Sequence, residues 1–342
     1  MNKRTLVLFI SILLIAALSI MGCGKKNAET KDAVTEKPIK IALVTDVGGI
    51  NDQSFNQSAW EGLQKAEKDF GLKISYQESQ QDADYKPNLE NLYDAGNDLI
   101  WGIGFKMADA IKDAAKLNLE QNYAIIDYAY GPETPKNIVG VVFKEQEASF
   151  LVGYIAGKMS KENNIGFVGG MDVPVIHRFK YGFLAGVKYA NPKAKIQSQY
   201  AGSFTDAAKG KAIANQMYKN GADIVFHAAG GVGDGVIEAA KEQDKWVIGV
   251  DKDQNSLAPD NVITSAMKRV DNAIYNIAKE TKEKGFPGGT TVVYGLADGG
   301  VDIAPSSSKL VPQDVLDEIK SVKAKIIAGE IVPPASEEDY KK

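Results

Sequence analysis

The chain has 342 residues, a formal net charge of −4 at pH 7 and one cysteine. A single cysteine excludes an internal disulfide, and the acidic balance lacks the basic surface of a nucleic-acid-binding protein, so nucleic acid is not an expected partner. After residue 22 the arginines are Arg178 and Arg269 alone, so a phosphate site built on arginine clamps is not expected. The length exceeds what one compact core usually needs, which predicts two lobes.

The N-terminal segment has the order of a secretory signal. Lys3 and Arg4 precede an apolar run over residues 6–20, which leads into Ile-Met-Gly-Cys with Cys23 last. The run is shorter than the roughly 20 residues of a membrane-spanning helix. The tetrapeptide resembles the lipobox of bacterial lipoproteins, in which residues 1–22 are removed and the cysteine carries lipid such as palmitate. We therefore expect a membrane anchor on Cys23 and, without Lys3 and Arg4, a formal charge of −6.

Two segments are predicted to lie outside the folded core. Residues 23–37 are polar and charged without apolar periodicity, which is typical of a flexible tether with a root-mean-square reach of roughly 20 Å. Residues 337–342 mix acidic and basic side chains and are predicted to form a solvated tail.

Between these segments, short apolar runs alternate with amphipathic stretches. The alternation predicts the α/β class, with parallel sheets covered by helices on both faces. The pattern restarts near residue 165 without a Pro/Gly/Ser-rich linker, so we expect two closely joined lobes. The predicted strands are residues 39–44, 74–76, 99–102, 124–126, 138–142, 165–168, 196–200, 224–226, 247–250, 262–266 and 291–294. The predicted helices are residues 53–70, 145–160, 179–189, 207–219, 233–243, 270–284 and 313–329, with two more that begin near residues 85 and 106.

Charged residues occur where several predicted strands end. Asp46, Asp127, Asp251 and Lys268 each follow an apolar run at its carboxyl end. Ligands of open α/β sheets bind beyond the carboxyl ends of the strands, so these four side chains are expected in a cleft between the lobes. Any one of the carboxylates is also compatible with a helix cap or a turn, but four charged residues in equivalent places favour the cleft.

Several sequence blocks are similar to those of one known family. They are TDVGGINDQSFNQ (45–57), GGMDVPVIHRFKYGFLAGV (169–187), GSFTDAAKGKAIA (202–214), GADIVFHAAGGVGDGVIEAAKE (221–242), GVDKDQ (249–254) and SAMKRVD (265–271). In this order they resemble the basic membrane protein family of ABC-transporter substrate-binding lipoproteins, and most of all its purine nucleoside receptor branch. The resemblance covers nearly all of the chain after the signal segment.

The resemblance implies a type I periplasmic-binding-protein fold, with two doubly wound parallel-sheet lobes. They are joined by three crossings, near residues 142–145, 265–268 and 296–300. The implied N-terminal lobe comprises residues 38–143 and 266–296, and the C-terminal lobe comprises residues 144–265 and 297–336. The implied function is that of a lipid-anchored, extracytoplasmic monomer that binds purine nucleosides (adenosine, guanosine, inosine) and delivers them to ABC permease and ATPase subunits.

The resemblance also implies roles for single residues. Phe55 and Phe204 match the aromatic pair that stacks on the two faces of the purine. Asn56 and Asp127 match the groups that hydrogen-bond to the edge of the base. A carboxylate and an amide suit this role because they present acceptors and donors in fixed directions.

The remaining matched positions surround the ribose and the rest of the pocket. Asp251 and Lys268 match groups that hold the ribose hydroxyls, and Gly231 offers backbone at close approach. Asp46 matches a carboxylate that lines the same pocket. Neither a cofactor nor a metal ion is implied, and no catalytic residue is expected.

A hydrolase is one alternative that the sequence leaves open. The segment from Asp46 to Asp52 superficially resembles the aspartate motif of calcium-dependent nucleoside hydrolases. Calcium takes six to eight oxygen ligands, and Asp52 stands apart, which is more typical of a turn or cap residue. The histidines are His177 and His227, and neither has a neighbouring nucleophile in the sequence.

Two further alternatives concern the ligand. The stretch AAGGVGDGV follows a predicted strand and precedes Asp251, as in a nicotinamide-dinucleotide site, but Val236 stands where the fingerprint needs its last glycine. The same fold would also suit a sensor, an adhesin, or a receptor for a sugar or a signalling furanone. Two aromatic walls favour a flat heterocycle over a sugar.

Overall fold

The computed structural model describes residues 37–342. The predicted signal segment, Cys23 and the tether up to residue 36 lie outside the described residues. Within residues 37–342, no helix combines the length and the apolar character that crossing a membrane requires.

The described residues contain twelve strands in two sheets of six. In chain order the strands are β1 (Lys40–Val44), β2 (Lys73–Gln77), β3 (Leu99–Gly102), β4 (Asn122–Ile126), β5 (Ile138–Phe143), β6 (Asn164–Gly169), β7 (Lys195–Tyr200), β8 (Ile224–Ala228), β9 (Trp246–Asp251), β10 (Val262–Lys268), β11 (Thr290–Tyr294) and β12 (Val301–Ile303).

Ten α-helices accompany the strands in the same part of the chain. They are α1 (Phe55–Phe70), α2 (Tyr85–Asp94), α3 (Ala108–Leu117), α4 (Glu145–Met159), α5 (Pro174–Ala190), α6 (Ala207–Lys219), α7 (Val232–Glu242), α8 (Val270–Lys284), α9 (Gln313–Ile327) and α10 (Glu337–Lys341). Short 3-10 turns lie at Asp82–Asp84, Phe105–Met107, Gly131–Glu133, Asn255–Leu257 and Pro305–Lys309.

The two sheets repeat one topology. The first has the order β11-β5-β4-β3-β1-β2, and all of its neighbouring strands are parallel. The second has the order β12-β10-β9-β8-β6-β7, with β12 as its one antiparallel member. Apart from β12, this architecture confirms the predicted pair of doubly wound parallel sheets.

The short edge strand β12 was not predicted, and its direction follows from how the chain enters the second sheet. Val301 pairs with Lys268, and Ile303 pairs with Ala266. The chain passes from β11, an edge strand of the first sheet, to β12, which begins beside the carboxyl end of β10 and runs back along it. An antiparallel neighbour of this kind needs no crossover helix.

Strand β1 shows why apolar runs became buried strands. Ile41 and Leu43 pack in one apolar cluster with side chains of α1, whereas Ala42 and Val44 pack in another with side chains of α2. All four are 0% exposed. Because helices cover both faces of the sheet, side chains on both sides of the strand are apolar.

Within residues 37–342 the chain passes between the sheets three times, as predicted. The passages lead from β5 into α4, from β10 into α8, and from β11 into β12. Strand β10 stays paired in the second sheet as far as Lys268. The division into lobes at residues 38–143 with 266–296 and 144–265 with 297–336 stays a proposal.

The C-terminal segment forms a short helix. Residues 337–342 were expected to be a solvated tail, and Glu337–Lys341 forms α10 without a buried residue. Ser336 caps the helix by accepting a hydrogen bond from Asp339 N, and acidic side chains occupy the first turn, where the helix dipole favours them. The ring of Tyr340 lies 5.8 Å from the ring of Tyr181 on α5, so this otherwise exposed segment contacts the rest of the protein through that side chain.

Candidate functional site

A pocket lies between the carboxyl ends of the strands of the two sheets. It is a concave cleft that is partly open to solvent, the usual shape of small-molecule sites. The structure brings all eight residues predicted to contact ligand into its wall. The lining residues are Asp46, Gly48, Asp52, Phe55, Asn56, Gly104, Phe105, Lys106, Asp127, Val175, Ile176, Phe179, Phe204, Ala228, Ala229, Gly230, Gly231, Val250, Asp251 and Lys268.

Asp52 organises the start of α1 beside the pocket. Its carboxylate accepts hydrogen bonds from the backbone N–H groups of Ser54 at 3.0 Å, Asn56 at 2.8 Å and Gln57 at 3.0 Å. These are N–H groups that a helix start leaves without a partner. Asp52 is therefore a capping residue, as the sequence indicated, and it also lines the pocket.

Asn56 joins two of the pocket carboxylates. Its Nδ2 donates to Asp46 Oδ1 at 2.7 Å and to Asp52 Oδ2 at 2.9 Å, and its Oδ1 accepts from Asp46 N at 3.3 Å. Burial raises the pKa of Asp46, although bonds from Gly48 and Asn56 oppose the shift. Both amide protons of Asn56 are thus committed, and its oxygen keeps a lone pair.

Two phenylalanines enter the pocket from opposite sheets, and each lies against a glycine. Phe55 opens α1, and a Cβ on Gly104 would lie 3.6 Å from Phe55 Cε1. Phe204 lies in the loop between β7 and α6, and a Cβ on Gly170 would collide with its ring. The sequence predicted the two aromatic residues but not the two glycines that seat them.

The glycine run after β8 brings backbone against the Phe204 loop. Phe204 O accepts a hydrogen bond from Val232 N at 3.3 Å. A Cβ on Gly230 would lie 3.1 Å from Phe204 O, and a Cβ on Gly231 would lie 3.4 Å from it. Close approach of α7 to this loop accounts for the glycines without a dinucleotide.

Asp127 and Asp251 occupy equivalent places in the two sheets. Asp127 follows β4 and Asp251 ends β9, and these strands hold the same position in the two strand orders. Both have left-handed backbone, with φ of 69° and 63°. This conformation is uncommon outside glycine and is found where a functional site requires it.

Lys268 is paired with two carboxylates at the base of the pocket. Its Nζ lies 2.6 Å and 2.7 Å from the two oxygens of Asp127 and 3.0 Å from Glu145 Oε1. Its side chain is 2% exposed. Burial would lower the pKa of Lys268, but Asp127 and Glu145 raise it, so the ammonium stays charged. The sequence did not identify Glu145 as part of the site.

Burial raises the pKa of three further carboxyl groups. Burial raises the pKa of Asp251 to about 7, although Lys268 and a hydrogen bond from Ser54 oppose it. Burial, with the charge of Asp52, raises the pKa of Asp234 on α7 to about 6. Burial also raises the pKa of Asp127, with Glu145 acting in the same direction.

An apolar wall from α5 completes the pocket. Val175, Ile176 and Phe179 line it. Sequence periodicity had started this helix at residue 179, so the first two were missed. Pro174 at the first helical position is the signal that would have found them, because its fixed φ suits a helix start.

The structure does not support a catalytic arrangement of the histidines. His227 is 0% exposed, and its ring nitrogens have no hydrogen-bond partner among the described residues. His177 Nε2 lies 2.5 Å from Asp172 Oδ1, and neither residue lines the pocket. Within residues 37–342, no group of three or more His, Cys, Asp or Glu side chains could hold a metal ion.

Comparison with known proteins identifies relatives over nearly the whole described chain. The family model for "ABC transporter substrate-binding protein PnrA-like" matches residues 39–337. Basic membrane protein A of Borreliella afzelii is 44% identical, over 89% of this chain and 94% of that protein. The ABC transporter nucleoside-binding protein BmpA of Lactococcus lactis subsp. cremoris is 40% identical, over 98% of this chain and 100% of that protein.

Solved structures agree with the fold. An ABC transporter solute-binding protein from Aeropyrum pernix K1 superposes with a TM-score of 0.79 and 31% identity, over 89% of this chain and 96% of that chain. The fold is therefore the type I fold of solute-binding proteins, and the resemblance seen in the sequence blocks is confirmed. The chain belongs to the PnrA-like family of ABC transporter substrate-binding proteins.

Proposed function

We propose that this protein is a lipid-anchored, extracytoplasmic receptor that binds purine nucleosides between its two sheets and delivers them to an ABC permease. The observation that carries the proposal is the placement of Phe55 and Phe204, which enter one pocket from opposite sheets. A flat heterocycle between two rings gains stacking energy on both faces, worth about 1–3 kcal/mol per base on each aromatic side chain. A ligand that touches both rings also favours closure of the two sheets on it.

The polar groups of the pocket suit a nucleoside better than a nucleotide. Carboxylates of Asp46, Asp52, Asp127 and Asp251 line the wall, and they accept hydrogen bonds from hydroxyl and amino groups. The lysines that line it are already paired, Lys268 with Asp127 and Lys106 with Asp82 at 3.3 Å. A phosphate would therefore meet negative charge without a free cation.

The proposed roles divide the pocket into a base end and a ribose end. Asn56 and Asp127 would contact the edge of the purine, and Asp251 and Lys268 would contact the ribose hydroxyls, with Gly231 at close approach. The relative from Lactococcus lactis, named a nucleoside-binding protein, supports this class of ligand. Such polar contacts discriminate strongly, because an analogue that lacks a group leaves a buried partner without a hydrogen bond.

The proposed anchor is Cys23, which lies outside the described residues. The polar segment up to residue 37 would hold the domain within roughly 20 Å of the membrane surface. A tethered monomer at that distance can capture ligand and meet the permease without diffusing away. We propose no enzymatic activity, because the family binds substrates for transport.

Titration calorimetry on refolded protein tests the ligand class. The panel is adenosine, guanosine, inosine, cytidine, uridine, adenine, ribose and AMP, and refolding from denaturant removes any ligand carried through purification. We expect tight binding of the three purine nucleosides and weak binding of AMP and ribose. Binding of ribose or another sugar without any nucleoside would instead establish a sugar receptor and remove the stacking roles of Phe55 and Phe204.

A further inference from the structure

Four charged side chains of alternating sign form a network that leads from the pocket into the protein. Lys268 Nζ lies 2.6 Å from Asp127 Oδ1 and 3.0 Å from Glu145 Oε1. Arg178 Nε in turn lies 2.5 Å from Glu145 Oε2. Asp127 and Lys268 line the pocket, whereas Glu145 and Arg178 do not. A ligand in the pocket can therefore touch Asp127 and Lys268, whereas Glu145 and Arg178 lie behind them.

The four residues come from elements of both halves of the molecule. Asp127 follows β4 in the first sheet, and Lys268 ends β10 where the chain leaves the second. Glu145 opens α4 directly after the first passage, and Arg178 lies on α5. Movement of one sheet against the other must therefore act on this set of ion pairs.

The ammonium of Lys268 is held by two carboxylates in different ways. It donates hydrogen bonds to both oxygens of Asp127, at 2.6 Å and 2.7 Å, and forms an ion pair with Glu145 Oε1, 3.0 Å away. A ligand hydroxyl can bind Lys268 by replacing an Asp127 bond. The ion pair with Glu145 then keeps the ammonium in place during the exchange.

The surroundings of Glu145 fix the orientation of its carboxylate and stabilise its charge. Its side chain is 0% exposed, Arg178 contacts both of its oxygens, and it lies in the first turn of α4, where the helix dipole stabilises a negative charge. Burial would raise the pKa of Glu145, but Lys268 and Arg178 outweigh it and hold the pKa below its ordinary value. Glu145 is therefore an ionised group with a fixed orientation.

We propose that Glu145 is a positioning residue for ligand binding: held by Arg178, it keeps the Lys268 ammonium at the base of the pocket while ligand takes over a bond from Asp127. The inference rests on the proposed binding of nucleosides in this pocket. The rings of Phe55, Phe143 and Phe179 surround the ammonium at 5.1 Å, 5.2 Å and 5.9 Å, but none of them carries a carboxylate that could replace Glu145. Without Glu145, Lys268 would turn wholly to Asp127 and compete with the ligand for it.

Glu145→Gln tests the proposal, because it preserves size and removes the charge. Nucleoside affinity of the full chain in mild detergent is measured by calorimetry from about pH 7 to about pH 12, a range that includes the ordinary lysine pKa of about 10.4. We expect Kd for purine nucleosides to rise about 10- to 100-fold, as when one partner of a buried charge pair is removed. The groups that face the ammonium are Asp127, Glu145, Asp251 and, through Glu145, Arg178.

The pH profile separates positioning from a purely structural role. In Glu145→Gln, Lys268 has one carboxylate partner fewer and therefore loses its proton at lower pH. The decrease in nucleoside affinity at alkaline pH, which is the alkaline limb of the profile, should then begin at a lower pH than in the parent. Glu318→Gln is the matched control, since it removes the same charge from an exposed pair with Lys158, 2.8 Å away. Parent-like affinity and an unshifted limb in Glu145→Gln would overturn the proposal.

A measurement without ligand distinguishes this proposal from the proposed function. A buried, hydrogen-bonded ammonium exchanges its protons slowly, so ¹⁵N NMR of the lysine side chains should show a Lys268 signal that Lys268→Met deletes. Glu145→Gln should shift that signal and Glu318→Gln should not. An unchanged signal refutes the positioning role, whereas a parent that binds no nucleoside refutes only the proposed function. If Glu145→Gln does not fold, Glu145→Gln with Arg178→Gln preserves the net charge of the network and is measured in the same ways.

Discussion

Ser54 Oγ donates a 2.5 Å hydrogen bond to Asp251 Oδ2, although 197 residues separate the two in the sequence. Ser54 lies directly before α1, beside the first sheet, and Asp251 ends β9 of the second sheet. A nearby ion pair joins the same elements, with Lys252 Nζ 2.6 Å from Glu61 Oε1. The two halves of the molecule therefore meet beside the pocket as well as through the three passages of the chain.

The buried carboxyl of Asp251 should make stability depend on pH. Burial raises its pKa to about 7, above the value near 3.9 expected in the unfolded chain. Between about pH 4 and about pH 7 the folded protein keeps a proton that the unfolded chain has lost, so the free energy of unfolding falls as pH rises. An asparagine cannot ionise, so Asp251→Asn should abolish this fall in the free energy of unfolding. Its amide oxygen still accepts a hydrogen bond from Ser54.

We therefore expect Asp251→Asn to be more stable than the parent at pH 8, by up to about 4 kcal/mol, and equal to it near pH 4. Urea unfolding at both pH values measures the difference. The exposed Asp260→Asn serves as control and should follow the parent at both. A stability difference that is the same at pH 4 and pH 8 would contradict the assignment.

His227 should have the opposite pH dependence. Burial lowers its pKa to about 4, below the ordinary value of about 6.5. The unfolded chain then binds a proton that the folded protein excludes, so stability falls as pH drops from about 6.5 towards 4. Between pH 7 and pH 5 the protonation of His227 should lower the free energy of unfolding of the parent by about 2 kcal/mol, and His227→Leu should not show this decrease. Equal losses in both proteins during chemical unfolding would show that His227 does not titrate in this way.

The aromatic walls can be tested one at a time. Phe55→Ala and Phe204→Ala should each weaken purine nucleoside binding by about 1–3 kcal/mol, because each removes one stacking face. Phe70→Ala is the matched control, since Phe70 lies at the other end of α1, against Tyr275 and outside the pocket lining. Calorimetry with inosine measures all three. Parent-like binding by both pocket variants would exclude the sandwich.

Gly170 should affect stability and ligand binding because it lies against the ring of Phe204. A Cβ at this position would collide with Phe204, so Gly170→Ala should displace the ring and destabilise the fold by about 1–3 kcal/mol, the usual cost of overpacking. Nucleoside affinity should fall with it. Adding Phe204→Leu should recover stability, because the smaller side chain makes room, but should leave affinity low. Unchanged affinity in Gly170→Ala would mean that the ring position is not critical.

The sequence by itself determined the architecture and eight of the twenty residues that line the pocket. Apolar runs separated by amphipathic stretches predicted the parallel strands, because a strand covered on both faces needs apolar residues throughout. The rule that ligands bind at carboxyl ends of strands selected Asp46, Asp127, Asp251 and Lys268, and the family resemblance added Phe55 and the remaining residues. The sequence could place these residues in one pocket because strand ends and sequence blocks are local features of the chain.

Tertiary structure alone decided which of these groups touch each other. Lys268 meets Asp127 and Glu145 only because two passages of the chain bring β10 and α4 side by side, and Ser54 meets Asp251 only because the sheets face each other. Such contacts join residues far apart in the chain, so no periodicity or spacing encodes them. The same holds for the pKa of Asp251, since burial and neighbouring charges, not residue type, set its value.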